Sequence, residues 1–242
     1  MKLHRFGFCS ALLSVILAAS GCSINRMATR AMADALTGSG SSAVFTGDND
    51  PQLVADAMPF AIKMYEALLA ETPDHRGLIL TTGSLFVMYA NAFVQGPVEF
   101  LPSPRYQERR AAQERAKNLY LRGVEILRDG LQRKYPGISG ASAEGGTLAP
   151  YLAKMKKDDV PLLYWIAGGT LSAFSLDPFD YALNRQVPDC MAYADRAYEL
   201  DPDFNSGALD DFYIQAYASL PVAMGGAPER AALHFERSLE KS

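Results

Sequence analysis

The chain has 242 residues, of which 49% are hydrophobic and 21% are charged, and its formal net charge is −4. This length and apolar content are enough for one or two ordinary domains with a real hydrophobic core. The acidic balance argues against binding to nucleic acid, which rewards clustered basic residues, and it provides no polybasic patch for anionic lipids.

The first 21 residues are typical of a bacterial export signal. Lys2 and Arg5 precede an almost wholly apolar run, and small residues lie directly before Cys22. This is the order of a secretory signal with a cleavage site, and the run is short for a membrane-spanning helix. We expect residues 1–21 to be a lipoprotein signal peptide and Cys22 to become the lipidated first residue of the mature chain. The alternative is an ordinary cleaved signal with an incidental cysteine.

Cleavage there would remove two basic and no acidic residues, so the formal net charge would fall from −4 to −6. Ser23 follows the cysteine, and the lack of Asp at this position favours the outer membrane over the inner membrane. Cys9 would leave with the signal and Cys22 would be acylated. Cys190 would then stand alone, so that no intrachain disulfide could form.

The rest of the chain predicts helices, because apolar residues recur at helical spacing and strand signals are scarce. Asp50-Pro51 predicts the start of a helix that runs to Thr72, and Pro59 should kink or split this helix. Further helices are predicted over 26–37, 77–95, 102–133, 149–157, 160–175, 178–185, 187–200, 204–219 and 227–240, with a flexible loop over 137–146.

Some of these helices have the residue spacing of a tetratricopeptide unit, in which small side chains let neighbouring helices approach closely. The matching positions are Ala61, Tyr65, Leu68 and Pro73, and again Cys190, Ala194, Ala197 and Pro202. We therefore predict an all-α bundle or solenoid of degenerate helix-turn-helix pairs around central uncharged helices, in a single domain over 22–242. A last helix of this kind would need a neighbour, so we expect the sequence to be truncated after Ser242.

Residues 77–98 contain no Asp, Glu, Lys or Arg. A run of this length can span a bilayer, but its polar residues would be expensive in lipid. A helix that is apolar on all sides in a water-soluble protein is normally buried at the centre of the fold. We therefore expect a central helix, with a transmembrane helix as the alternative, and we expect a second uncharged segment, 161–176, to pack beside it.

Polar and aromatic side chains on these two segments are the candidate ligand-binding residues. Buried hydroxyl and amide groups need hydrogen-bond partners, so they either satisfy one another or line a cavity with apolar walls. The candidates are Thr82, Ser84, Phe86, Tyr89, Asn91, Phe93, Gln95, Tyr164 and Trp165. A second candidate surface is the concave face of the helix pairs, and 210–213 could contribute to either site.

Catalysis and metal binding are not predicted. After the signal the chain has two histidines, His75 and His234, for which we expect surface roles, and it has no nucleophile elbow, zinc-protease motif or phosphate-binding glycine loop. The acidic residues around Asp50 lack the glycine and glutamate of a calcium loop, and a helix cap explains them better. Cys190 has no activating base beside it in sequence, which predicts a buried packing residue. We predict a non-enzyme with neither cofactor nor metal.

The run from Thr82 to Pro97 resembles the signature helix of the T component of TRAP transporters, the TatT family. The resemblance continues in the expected order at 20–23, 50–51, 163–165, 201–203, 207–209 and 234–237. It implies a lipid-anchored, periplasm-facing, all-helical protein with degenerate tetratricopeptide-like pairs. Such proteins are associated with ATP-independent transport systems that use a soluble substrate-binding protein.

Two functions follow from these observations. The first is a non-catalytic transport accessory that docks a periplasmic substrate-binding protein, is held at a membrane by its N-terminal lipid, and has a central cavity that could admit a hydrophobic or organic-acid ligand. The alternative is a general envelope lipoprotein scaffold that binds protein segments and no small molecule. The ligand, the oligomeric state and the partner-binding surface stay open.

Overall fold

The computed structural model describes residues 26–38, 40, 43–99, 102, 105–143 and 147–241. The predicted signal peptide and Cys22 lie outside these residues. Throughout the described part of the chain the regular elements are helices, with no strand, so the all-α prediction is confirmed.

The first half contains six α-helices in its described residues. They are α1 (26–36), α2 (Ala43–Thr46), α3 (Pro51–Glu71), α4 (Arg76–Tyr89), α5 (Gly96–Glu99) and α6 (Tyr106–Lys134), and a π-helical segment, Ala90–Gln95, joins α4 to α5. The second half contains α7 (Ile138–Ala143), α8 (Ala149–Leu152), α9 (Val160–Leu176), α10 (Tyr181–Asn184), α11 (Val187–Leu200), α12 (Ala208–Ser219) and α13 (Pro228–Lys241). Short 3₁₀ turns at Lys157–Asp159, Phe204–Ser206 and Val222–Met224 connect some of them.

The N-terminus of α3 forms as predicted. The Asp50 side chain accepts hydrogen bonds from the backbone N–H groups of Gln52 and Leu53, both at 3.1 Å, and Pro51 occupies the first turn. The predicted split at Pro59 does not occur, since α3 continues to Glu71. Pro59 lies on the exposed face of the helix, where water can satisfy the carbonyl that loses its N–H partner.

Two other boundaries differ from the predictions. The segment 137–146 is not wholly a loop, because α7 forms within it and Ile138 is buried in the main hydrophobic core. The helix predicted from residue 102 begins at Tyr106 instead.

Helices α4, α6 and α9 pack against one another at the centre of the fold. On this centre, α3 packs against α4, α11 packs against α9, and α13 packs against α12. Among the described helices, one stretch, Arg76–Glu99, is long and apolar enough to cross a membrane, and 56% of its apolar window is buried inside the protein. This burial, together with the packing of α4 against α3, α6 and α9, is that of a core helix, as predicted.

The predicted small residues of the repeat pattern are buried. Ala194 and Ala197 have no exposed surface, and Ala61 has 8% of its surface exposed. Their burial is compatible with close helix packing in a bundle or in a solenoid, and the tetratricopeptide-like architecture stays a prediction.

Candidate functional site

A cavity of about 250 Å³ lies between the C-terminal end of α4 with its π-helical segment, α9 and α12. The residues that line it are Val87, Met88, Asn91, Tyr164, Trp165, Gly168, Ser172, Asp211, Phe212 and Gln215. Three of the nine predicted ligand-binding residues, Asn91, Tyr164 and Trp165, therefore lie around one cavity.

The π-helical segment places Asn91 at this cavity. The backbone N–H of Gly96 donates to the carbonyl of Asn91, five residues earlier, which is the spacing of a π-helix. Pro97 follows and has no N–H group, so the α-helical bond to Phe93 cannot form there. Single π-helical turns inside α-helices occur frequently at functional sites.

An uncharged polar cluster lies beside Asn91. The Tyr120 hydroxyl is completely buried and donates to Gln95 Oε1 at 2.7 Å. Burial raises the pKa of Tyr120, and hydrogen bonding with Asn91 and Ser172 opposes the rise only in part. Tyr120 therefore stays protonated near neutral pH, and its partners Asn91 and Ser172 provide neutral hydrogen-bonding groups in the cavity lining.

Aromatic rings form another part of the cavity lining. Tyr164 and Trp165 meet edge to face, with ring centroids 5.0 Å apart. The ring centroid of Phe204 lies 5.3 Å from that of Tyr164. Burial raises the pKa of Tyr164, and the nearby charge of Asp211 adds to the rise. An apolar cavity with a few convergent polar groups is the usual form of a small-molecule site.

Three other predicted polar residues, Thr82, Ser84 and Gln95, lie outside the lining of this cavity. Ser84 donates its hydroxyl to the Thr81 carbonyl at 3.1 Å, and Gln95 accepts from Tyr120 as described. Thr82 is fully buried, and its Oγ1 has no hydrogen-bond partner among the described residues.

The predicted aromatic residues of α4 and its π-helical segment also lie outside the cavity. Phe86 is buried in a second hydrophobic cluster, with the Arg122 guanidinium 4.9 Å above its ring. Tyr89 accepts a hydrogen bond from Arg115 at 3.4 Å, and Phe93 packs 6.0 Å from the Tyr89 ring.

Some cavity residues were not among the predicted ligand-binding residues. Asp211 and Phe212 come from the acidic start of α12, for which the sequence indicated either of two surfaces. Gly168 and Ser172 lie one and two helical turns after Trp165, so helical spacing from a predicted residue could have found them.

Both histidines differ from the prediction of surface roles. His75 is buried, and its Nδ1 accepts from the backbone N–H of Leu78 at 3.1 Å, so that it caps α4, while its Nε2 lies 2.9 Å from Asp34 Oδ1. His234 is also buried, with Nδ1 2.7 Å from Asp210 Oδ1. Within the described ranges, no group of three or more His, Cys, Asp or Glu side chains is placed to hold a metal ion.

A second cavity, of about 320 Å³, lies between α6, α7, α10 and α11. Two basic residues, Arg128 and Arg185, and one acidic residue, Asp189, lie in its lining. None of the predicted ligand-binding residues lines it.

A helical bundle with an open, aromatic-walled cavity has the form of a binding protein. The sequence model of the TRAP transporter T-component family matches residues 47–242, and the chain belongs to this family. An uncharacterized protein of Treponema pallidum (strain Nichols) is 36% identical, in an alignment that takes in 94% of this chain and 75% of that protein. Membership in this family implies an accessory role in TRAP transport and association with a TRAP system. The family is one of transport accessories and is not a known enzyme family. Membership does not favour the general scaffold.

Proposed function

We propose that this chain is a non-catalytic, periplasm-facing lipoprotein that docks the periplasmic substrate-binding protein of a TRAP-type transport system. Family membership is the observation that carries the proposal. In this proposal residues 1–21 are the signal peptide, and acylated Cys22 holds the single helical domain at a membrane. Ser23 after the cysteine favours the outer membrane.

Docking can be tested on membranes solubilised under mild conditions. Affinity purification of the full chain should recover a TRAP-type substrate-binding protein, identified by mass spectrometry. Purification that repeatedly recovers none, even after chemical cross-linking, would contradict the docking role. The anchor is tested separately, because Cys22→Ser should move the protein from the membrane fraction to the soluble periplasmic fraction.

The proposal also includes a small ligand in the cavity between α4, α9 and α12. Its support is the convergence of Asn91 with the rings of Tyr164 and Trp165 around one open space. Trp165 lines the cavity and is the single tryptophan of the chain, so tryptophan fluorescence reports on the surroundings of this one side chain.

Gly168 gives a sharp test of this ligand. It lines the cavity, and a Cβ built on it has no heavy atom within 4 Å among the described residues. Gly168→Leu should fill the cavity without disturbing the fold, since Leu favours a helix more than Gly does. We expect compounds that change Trp165 fluorescence in the natural chain to lose this effect in Gly168→Leu. Unchanged binding in the folded variant would rule out this cavity as the site.

A further inference from the structure

The charge of the cavity between α4, α9 and α12 comes from one side chain. Of the described residues that line it, Asp211 alone is ionisable at neutral pH. Its Oδ1 accepts a hydrogen bond from the Ser238 hydroxyl at 2.7 Å. No Lys, Arg or His side chain in the described ranges forms an ion pair with Asp211, so its carboxylate faces the cavity without a neutralising partner.

The neighbouring acid is arranged differently. Asp210 is buried beside Asp211 and is bound by Lys241 Nζ at 2.9 Å and by His234 Nδ1 at 2.7 Å. The positive charge of Lys241 is directed to Asp210 and Asp203. Asp210 is therefore neutralised by Lys241 of α13, whereas Asp211 bonds to the same helix through the neutral Ser238 hydroxyl.

Aromatic side chains also line the cavity. Tyr164, Trp165 and Phe212 line the cavity, and the faces of aromatic rings carry partial negative charge. Such faces attract organic cations, and the attraction grows when the cation leaves water. The remaining polar groups, including Asn91 and Gln215, are neutral and provide no positive charge for an anion.

We propose that the ligand of this cavity is a small organic cation, a quaternary or protonated amine, whose charged group lies between the Asp211 carboxylate and the Tyr164–Trp165 wall. The proposal rests on the function proposed above, in which this cavity holds a ligand. It differs from both ligand classes that the sequence predicted. A hydrophobic ligand would leave the Asp211 carboxylate without a counter-charge, and an organic acid would meet Asp211 without a cation to offset the repulsion.

The test uses three probes of matched shape: choline, its neutral isostere 3,3-dimethyl-1-butanol, and the anion 3,3-dimethylbutanoate. Each is titrated into the full chain while Trp165 fluorescence is recorded at low and at high salt. Choline should bind tightest and the anion weakest, and choline binding should weaken as salt rises because the carboxylate is exposed.

Asp211→Asn removes the charge and keeps an oxygen that can accept from Ser238. Choline affinity should fall about twofold to fivefold in this variant, as for an exposed ion pair, while binding of the neutral isostere should not change. Asp56→Asn is the matched control, because Asp56 is an exposed helical aspartate that also accepts from a neutral side chain, Gln52. It should leave all three titrations unchanged.

Three results would overturn the inference, and they separate it from the function on which it rests. If the neutral or anionic probe binds as well as choline, and Gly168→Leu abolishes this binding, the cavity holds a ligand but does not select a cation. If no probe affects Trp165, the inference fails, and the cavity ligand is then judged by its own test. If Gly168→Leu leaves choline binding intact, both the inference and the cavity ligand fail. Docking of the substrate-binding protein is measured independently of these titrations.

Discussion

A Cβ atom on Gly123 would lie only 2.6 Å from the carbonyl oxygen of Gly83, at the point where α6 crosses α4. In the opposite direction, a Cβ on Gly83 would lie 2.4 Å from Leu127 Cγ. The two helices are therefore in backbone contact, which a larger residue at either position would prevent. On α9, Gly169 makes a similar approach, because its Cβ would lie 2.7 Å from Val124 Cγ2.

The first prediction concerns this crossing. Gly123→Ala should destabilise the protein by about 1–3 kcal/mol, because the added carbon must push the backbone of α4 away. The control is Gly168→Ala, also in a central helix, where the Cβ meets no described heavy atom. It should be neutral or more stable by up to about 1 kcal/mol, from helix propensity alone. Urea unfolding followed by circular dichroism measures both, and equal stabilities would contradict the close contact.

Helix boundaries were predictable where the sequence changes character sharply. The prediction of 187–200 coincides with α11, because strong amphipathic spacing ends at the turn after Leu200. The π-helical segment was not predictable, since its apolar residues fit an α-helix equally well. Its clearest sequence signal is Pro97, and a proline can equally mark the end or a kink of an α-helix.

The site was predictable only in part, for a related reason. An amphipathic helix shows which face is buried, but the stretch around α4 is uncharged on all sides, so its sequence does not distinguish the face toward α6 from the face toward the cavity. Thr82 and Asn91 are both uncharged polar residues within this stretch, so the sequence gives no reason to assign them different environments. The first is buried in the core, and the second lines the cavity.

The second prediction concerns the thiol of Cys190. Its S–H group donates to the Ala167 carbonyl at 3.2 Å, and burial raises its pKa to about 12. In a chain with Cys9→Ser and Cys22→Ser, a disulfide reagent at pH 8 should therefore react with Cys190 only when the protein unfolds. The rate should follow urea unfolding measured by circular dichroism. Rapid reaction in the native state would show that α9 and α11 separate locally.

The third prediction concerns acid and the packing of α13. Burial would raise the pKa of Asp210, but hydrogen bonds from Lys241 and His234 outweigh it and hold the pKa below its usual range. A carboxyl with a lowered pKa stabilises the fold above its unfolded pKa, about 3.9, and this contribution is lost as the pH falls through the folded pKa. Asp210→Asn should therefore lower the free energy of unfolding by about 1–3 kcal/mol at pH 7, and by less at pH 3.

Urea unfolding of the natural chain and of Asp210→Asn at pH 7 and pH 3 measures this difference. Comparing the two chains at each pH removes the effect of the other carboxylates. Asp56→Asn, at an exposed position on α3, is the control. Its difference in free energy of unfolding from the natural chain should be the same at both pH values. The difference in free energy of unfolding between the natural chain and Asp210→Asn should shrink from pH 7 to pH 3. A constant difference would contradict the role given to Asp210.

The fourth prediction compares two adjacent acids before α9. Asp159 is buried, and its Oδ2 accepts from the Tyr135 hydroxyl at 2.7 Å and from the Lys156 backbone N–H at 3.0 Å, while Lys134 binds its Oδ1. The side chain of Asp158 is exposed. Asp159→Asn should lower the free energy of unfolding by about 1–3 kcal/mol, because an amide cannot replace every bond that the carboxylate accepts. Asp158→Asn should change it by less than about 0.5 kcal/mol. Equal losses in urea unfolding would show that α6 and α9 are held together without the buried carboxylate.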